Sequence, residues 1–211
     1  MSEQANQTNK KGTGCLAATM IGIPLIIAIA LLVMWGVRIN NRSVEKDEVV
    51  KKQWSHVETS YQRRYDLIDN LVNTVKGYAD FEKSTLTEVI EARSKATGIN
   101  MNTENFTEEE MAKFQEAQNQ LSGSLSRLMM VVERYPDLKA DKQFASLSEE
   151  LKNTENEIKD ARMAYNESVK DFNAYIRKFP RNMFAKILGF KPYNYFETST
   201  PEAANPVKVN F

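Results

Sequence analysis

The densest group of chemistry-bearing side chains is Arg63, Arg64, Asp66, Asp69 and Asn70. At helical spacing Arg63, Asp66, Asn70 and Asn73 share one stripe. Such a stripe can bind an anion or dock a partner. It can also form i,i+3 and i,i+4 pairs on a wet surface, worth ~0.2–0.5 kcal/mol each. It offers little to catalysis. His56 is the one histidine of the chain and falls off the neighbouring apolar seam. A His-based zinc site or a Ser-His-Asp triad needs more partners than that. The sequence contains no Glu-x-x-His, no Gly-rich phosphate loop and no Gly-x-Ser-x-Gly elbow. No catalytic, cofactor-binding or metal-ligating residue is expected, and no cofactor. A carboxylate pair inside a helical domain, serving a hydrolase, is the enzymatic alternative left open.

The element that must carry this stripe spans residues 50–96. Val50, Trp54, Val57, Tyr61, Tyr65, Ile68, Val72, Val75 and Ala79 recur at steps of three and four. That spacing predicts one face of a long helix, whereas a strand would alternate by two. Ser43 reads as its N-cap, so the helix is expected from Val44 to about Ala79, with fusion to the preceding span as the alternative. A second helix is expected from Phe81 or Ser84 to Ala96. It either turns back at residues 77–80 or continues as one rod. Gly98 ends it, and a polar loop follows through Asn105.

The third helix has the clearest start. Thr107 is the cap, Glu110 holds the capping-box position, and Phe106 can staple to Met111. Met111, Phe114, Gln118, Leu121, Leu125, Leu128, Val132 and Tyr135 form its seam, and Pro136 should stop it. A fourth helix is expected from about Asp141 to Lys178. Its seam is Phe144, Leu147, Leu151, Thr154, Ile158, Ala161, Tyr165, Val169, Phe172, Ile176 and Phe179. That near-heptad spacing admits a long exposed coiled coil. The short turn to a third helix with a matching seam favours an antiparallel bundle.

The 211 residues include 28 basic and 28 acidic ones, which gives no basic excess for nucleic acid. Gly (8) and Pro (6) are sparse enough to favour helix over a turn-rich sheet protein. The single Cys15 cannot form an internal disulfide. Residues 1–15 are polar and read as a disordered tail. Residues 16–37 contain no charge and, at ~1.5 Å per residue, can cross a hydrocarbon core of ~30 Å. Trp35 stands where an interfacial aromatic belongs, and Arg38 closes the run. Cleavage at Ala28-Ile29-Ala30 is disfavoured because the apolar run continues past it. A lipoprotein signal fails because Cys15 precedes the run. A single-pass anchor is therefore expected, in contact with the lipid bilayer. Lys10 and Lys11 stand before it, and Arg38, Arg42, Lys46, Lys51 and Lys52 after it, which places the large domain in the cytoplasm.

Beyond the fourth helix, residues 181–190 read as a short amphipathic helix with Gly189 as its stop. Arg181, Phe184, Lys186, Ile187 and Lys191 are the candidate membrane-interface residues within an aromatic-rich stretch, 181–196. Capping the open end of the bundle is the competing role for this helix and the one favoured by the need to keep that end dry. Residues 191–211 read as an irregular tail, within which Val207, Val209 and Phe211 alternate as a strand would.

Trp54 and the run SYQRRYDLIDNLVNTVKGYADFEKSTLTEVIEARSKA resemble the signature region of the LemA family of bacterial membrane proteins. FNAYIRKFPRNMFAKILGFKPYNYFE is similar to that family's carboxyl-terminal signature. The likeness covers about residues 44–197 and matches at Trp54, Arg63, Arg64, Asp66, Leu67, Asn70, Leu71, Glu82, Ala92 and Arg93. It departs at Asp69, where Pro is common, and at Phe81, where His is common. The resemblance implies a membrane-anchored antiparallel helical domain and brings no transferable activity. Relatives that take part in forming magnetosome membranes point towards membrane organisation.

The chain is thus expected to be all-α. An N-terminal transmembrane helix (16–37) should precede an elongated antiparallel helical bundle (44–190) that ends in a short C-terminal helix. The expected function is a non-enzymatic scaffold or adaptor of the bacterial inner membrane, with a protein partner or self-association and no nucleic acid. Arg63, Arg64, Asp66, Asn70, Glu82 and Arg93 form its candidate interaction face. Membrane remodelling through the anchor and residues 181–196 is the alternative.

Overall fold

The computed structural model describes residues 12–78, 81–99 and 107–197, with side chains from Gly22 onward. The 1–15 tail for the most part, the Ala79 seam position, the Phe106 staple and the 207–211 alternation lie outside the described residues. Six helices and no strand occur among the described residues: α1 (Gly12–Lys76), α2 (Lys83–Thr97), α3 (Glu108–Val132), α4 (Pro136–Ala140), α5 (Lys142–Arg177) and α6 (Arg181–Ile187).

The chain divides into two compact units. One comprises the described residues up to Glu45 with Tyr175–Lys191, the other Lys46–Ala174 with the residues from Pro192. The division differs from the expected bundle of 44–190 and tail of 191–211. Residues 175–191 group with the anchor, and 192–197 group with the bundle.

In the larger unit the seam of α1 is buried at every described position, from Val50 through Trp54, Val57, Tyr61, Tyr65, Ile68 and Val72 to Val75. Gly77 ends α1, and α2 turns back antiparallel to it, with Arg93 bonded to Asp69 and to the carbonyl of Tyr65. This settles the choice between one rod and two. The pairs Arg127–Glu88, Ser148–Met129 and Trp54–Tyr165 set α2 against α3, α3 against α5 and α5 against α1, each antiparallel. The result is a four-helix bundle, not an isolated coiled coil.

Local chemistry explains most helix ends. Thr107 Oγ1 accepts from the Glu110 amide at 3.2 Å, and Glu110 accepts from the Thr107 amide at 2.8 Å, closing the capping box. Asp141 accepts from the Phe144 amide at 2.8 Å and from the Tyr78 hydroxyl at 3.0 Å, which starts α5 and ties down the end of α1. Two expectations are corrected. Ser43 is no N-cap, for α1 runs through Asn40 and Asn41 without a break and the Ser43 side chain is buried inside it. Asn lowers helix propensity by only a few tenths of a kcal/mol, too little to interrupt a long helix. Pro136 stands beyond the end of α3 and opens α4 at its first turn, where a missing N–H costs nothing, and Leu138 is buried there.

Residues 192–197 have no regular secondary structure, yet they lie along α5 as a strap. Asn173 donates to the Tyr193 carbonyl (2.8 Å) and accepts from its amide (3.0 Å). Asn166 does the same for Phe196, at 2.9 Å both ways. Phe196 is buried, stacked on Trp54 at 5.7 Å between ring centroids, with Tyr165 edge-on at 5.4 Å.

In the smaller unit, one helix is long and apolar enough to cross a membrane, and its residues Ile23–Val33 are exposed throughout. α6 is shorter than expected. Gly189, at φ 82°, lets its own amide bond the Lys186 carbonyl and the Phe190 amide bond the Ala185 carbonyl. That paired closure needs a left-handed residue, which Gly supplies without strain.

Thr107→Ala should lower the stability of the full chain in detergent by about 1 kcal/mol, read by thermal denaturation. Acid should act on the same caps. The Phe144 amide and then the Tyr78 hydroxyl hold the Asp141 carboxyl below the usual range, and Thr107 does so for Glu110. Lowered folded-state values mean that their stabilisation is present above the unfolded carboxylate range near ~4 and is lost as pH falls through the folded values. Asp141→Asn should therefore flatten the acid end of a plot of Tm against pH. An unchanged slope would contradict this role.

Candidate functional site

The six expected interaction-face residues do not form one face. Arg64 points inward. It is 2% exposed, bonds Ser122 on α3 at 2.7 Å, and pairs with Glu155 on α5 at 2.8 Å. Its neighbour Arg63 lies outside and pairs with Glu157 at 3.0 Å. Arg93 joins α2 to α1 through Asp69, and Glu82 accepts from Arg134 at 3.0 Å. Asp66 accepts from Gln62 one turn earlier, and Asn70 is exposed. Four of the six thus hold one segment of the bundle to another. Arg63, Asp66, Asn70 and Glu82 are exposed, and Asp66 and Asn70 beside Arg63 remain as a candidate docking stripe. Both departures from the family pattern have a place here. Asp69 takes the Arg93 guanidinium, and Phe81 is buried with its ring 4.9 Å from that of Tyr135.

Arg64 belongs to a polar spine inside the bundle. Gln118 donates to the Tyr65 hydroxyl at 2.5 Å. The Arg162 guanidinium lies 5.6 Å from the Tyr61 ring centre and 4.9 Å from that of Phe196. Burial pushes the Tyr61 phenol up to about 12, against the pull of Arg162 and Arg64, and raises Tyr65 and Tyr165 too. Such phenols stay neutral at any physiological pH and supply packing and hydrogen bonds, not bases.

Among the described residues no Asp or Glu is buried, and no three His, Cys, Asp or Glu converge. The carboxyls that depart from their ordinary range, Glu109, Glu110 and Asp141, are all lowered by hydrogen bonds, whereas a general acid must be raised. An open cavity of about 360 Å³ is lined by Glu58, Tyr61, Gln62, Tyr65 and Phe114, with one carboxylate and no base beside it. The hydrolase alternative has no carboxylate pair to rest on in this part of the chain. His56 is exposed on α1, as a solvated helix-face residue is.

The candidate membrane-interface residues divide differently. Phe184 is half-buried, edge-on to Trp35 at 5.2 Å and within 3.4 Å of where a Cβ on Gly36 would stand, so it seats α6 against α1. Arg181 stacks over Tyr175 at 4.4 Å. Lys186 and Lys191 are exposed, and Ile187 is 82% exposed. Met183 (58%) precedes Ile187 by one turn, so the outward side of α6 is apolar and flanked by cations, and Phe179 ahead of it is 79% exposed. Phe179 was an expected core residue. It falls beyond the end of α5, where the helical seam no longer applies.

Sequence reasoning passed over Asn166, Asn173 and Arg162. The available signal was two Asn seven residues apart, each next to an aromatic of the α5 seam (Tyr165, Phe172). Asn at that spacing is ordinary on a wet helix face, so its partners had to be seen.

Arg63→Ala, which removes one end of an exposed pair, should cost under about 1 kcal/mol. Arg64→Ala should cost about 2–4 kcal/mol, because it empties a packed site as well as losing a charge-assisted pair. Arg64→Met, which refills the volume, should recover most of that loss. Urea denaturation of the three full-length variants measures the order. Equal losses at Arg63 and Arg64 would refute the inward assignment.

The LemA family model matches residues 53–211. Protein LemA of Metamycoplasma hominis is 25% identical over 177 residues, 84% of this chain and 77% of that protein. Magnetosome protein MamQ 2 of Paramagnetospirillum magneticum is 26% identical, over 93% of this chain and 77% of its own length. Magnetosome protein MamQ of Magnetospirillum gryphiswaldense is 24% identical, over 89% and 75%. With both signature runs inside the matched region, and an apolar helix ahead of a helical bundle, the chain is a membrane-associated member of the LemA family.

Proposed function

We propose that this protein is a non-enzymatic scaffold or adaptor of the bacterial inner membrane. Residues 16–37 anchor it as a single-pass protein, and its helical bundle engages a protein partner or another copy. The observation that carries this reading is the exposed apolar surface of α1 from Ile23 to Val33. Water disfavours such a surface by about 25 cal/mol per Å², and a bilayer accepts it. Among the described residues of the bundle no Asp or Glu is buried, which supports reading it as a binding surface. The excess of Lys and Arg just after the span supports a cytoplasmic bundle. Crosslinking in native membranes should capture a stoichiometric partner. Recovery of the intact chain as a lone monomer would overturn the reading. A reporter fused to the carboxyl end should be active only if it is of the type that works in the cytoplasm.

A second reading, membrane organisation, is favoured by one specific observation. Met183 and Ile187 face outward on α6, which is seated against Trp35 at the end of the apolar span. Lys178, Lys186 and Lys191 flank them. That arrangement suits a helix lying in the headgroup region of anionic lipid. The magnetosome relatives are compatible with it by name. A fluorophore at Ile187→Cys in a Cys15→Ser chain, reconstituted in vesicles, should be quenched by lipids labelled high on the acyl chain. Met183→Glu should weaken that quenching severalfold. Absence of quenching in the parent would reject contact between α6 and lipid.

A further inference from the structure

The strap formed by residues 192–197 is bound as a peptide ligand is bound. Side chains of α5 bond its backbone at Tyr193, Asn194 and Phe196. Asn173 and Asn166 each take both backbone groups of one strap residue, Tyr193 and Phe196. The Tyr165 hydroxyl donates to the carbonyl of Asn194 at 3.2 Å. Two aromatic side chains supply the selectivity. The Tyr193 hydroxyl donates to Asp47 at 2.8 Å, and its ring meets Phe172 at 5.3 Å. Phe196 fills a slot made by Trp54, Tyr165 and Phe114 under the Arg162 guanidinium.

The spacings agree. Seven residues of helix between Asn166 and Asn173 advance ~10.5 Å. Three residues of extended chain between Tyr193 and Phe196 advance ~10 Å. The strap runs antiparallel to α5, with Tyr193 at the Asn173 end. Because both pincers read main-chain atoms, the site recognises any extended segment with aromatics three apart, whether or not it is tethered.

We infer that this groove is a docking site for an extended Tyr-x-x-Phe segment, and that a second copy of the chain fills it by strap exchange. The occupant is fixed by the groove's own content, since another copy carries the segment already seated there. The strap has no helix or sheet bonds to lose on leaving. An exchanged strap makes the same contacts, so local concentration decides between the two arrangements. Only residues 188–192 separate the end of α6 from Tyr193, and Pro192 stiffens them. Short, stiff hinges are where exchange is favoured over self-closure. Anchored copies share the plane of one bilayer, which raises their concentration near one another.

The test uses full-length chains in vesicles. The photoreactive residue p-benzoylphenylalanine replaces Tyr195, whose side chain is exposed, in one of two differently tagged wild-type copies. Interchain crosslinks that map to α5 of the unlabelled copy, and that rise with the protein-to-lipid ratio, are expected. A synthetic peptide spanning residues 190–198 should suppress them about tenfold or more, as should Asn166→Ala with Asn173→Ala in the unlabelled copy. A labelled copy with those two groove substitutions, mixed with a partner bearing Tyr193→Ala and Phe196→Ala, should crosslink in one direction only. Exclusively intrachain crosslinks between wild-type copies at every ratio would overturn the inference, even if the variants do not fold. Interchain crosslinks that map away from α5, or that ignore the peptide, would also overturn it. Neither outcome depends on whether a separate scaffold partner is found.

Discussion

The seam of α1 between Val50 and Val75 must be kept from water, and the larger unit is arranged to do so. Each large side chain on it gains about 1.5–3 kcal/mol by burial relative to exposure. No single helix can cover a face that long and that wide. α3 runs parallel to it, meeting it at Tyr61–Phe114 and Tyr65–Gln118. α5 runs antiparallel and covers Trp54 and Tyr61, and α2 folds back over the end near Tyr65. Every other helix in this unit touches α1 or touches one that does.

Helices alone leave a gap beside Trp54. Cylinders about 10 Å across cannot enclose an indole completely where α1 and α5 run side by side. The strap fills that gap with Phe196, stacked 15° from the Trp54 plane. A backbone brought into such a place must have its polar groups met, and no helix or sheet is available to meet them. Asn166 and Asn173 do that work, each offering one donor and one acceptor at the spacing of a peptide unit. The run that resembles the family's carboxyl-terminal signature, residues 172–197, thus supplies the plug, Phe196, and one of the two asparagines that hold the strap, Asn173, while Asn166 stands ahead of it on α5.

What could be read in advance follows from how local each cause is. The Thr107 box, the Gly189 stop and the three-four seams depend on residues within one or two turns, and all were legible. Pro136 was read as a stop because a stop and a first-turn proline look the same until the next element is known. Ser43 looked like a cap because capping depends on whether a helix already exists before it, and the anchor supplied one. Phe179 continued the numerical pattern of α5 but stood beyond its last turn. Arg63 and Arg64 are the sharpest case. Adjacent and chemically identical, they differ by about 100° around α1, and only the positions of α3 and α5 decide which one is enclosed. The Asn pincers were hidden because their partners are backbone atoms 20 and 30 residues away, and backbone carries no sequence signal.

Placement of Arg64 also explains how this bundle selects one alignment. Apolar seams with three-four spacing tolerate a slip of one turn, ~5.4 Å, because a similar residue meets the vacated place. Arg64 does not tolerate it. Its guanidinium must find Ser122 and Glu155 on two different helices at once, and a slipped arrangement would leave a buried cation without an anion. Tyr65 and Gln118 impose a second condition one residue away. These contacts contribute little net stability compared with the hydrocarbon around them. Their value lies in making wrong alignments costly, so that Asp66, Asn70 and the strap groove are always presented in the same relative positions.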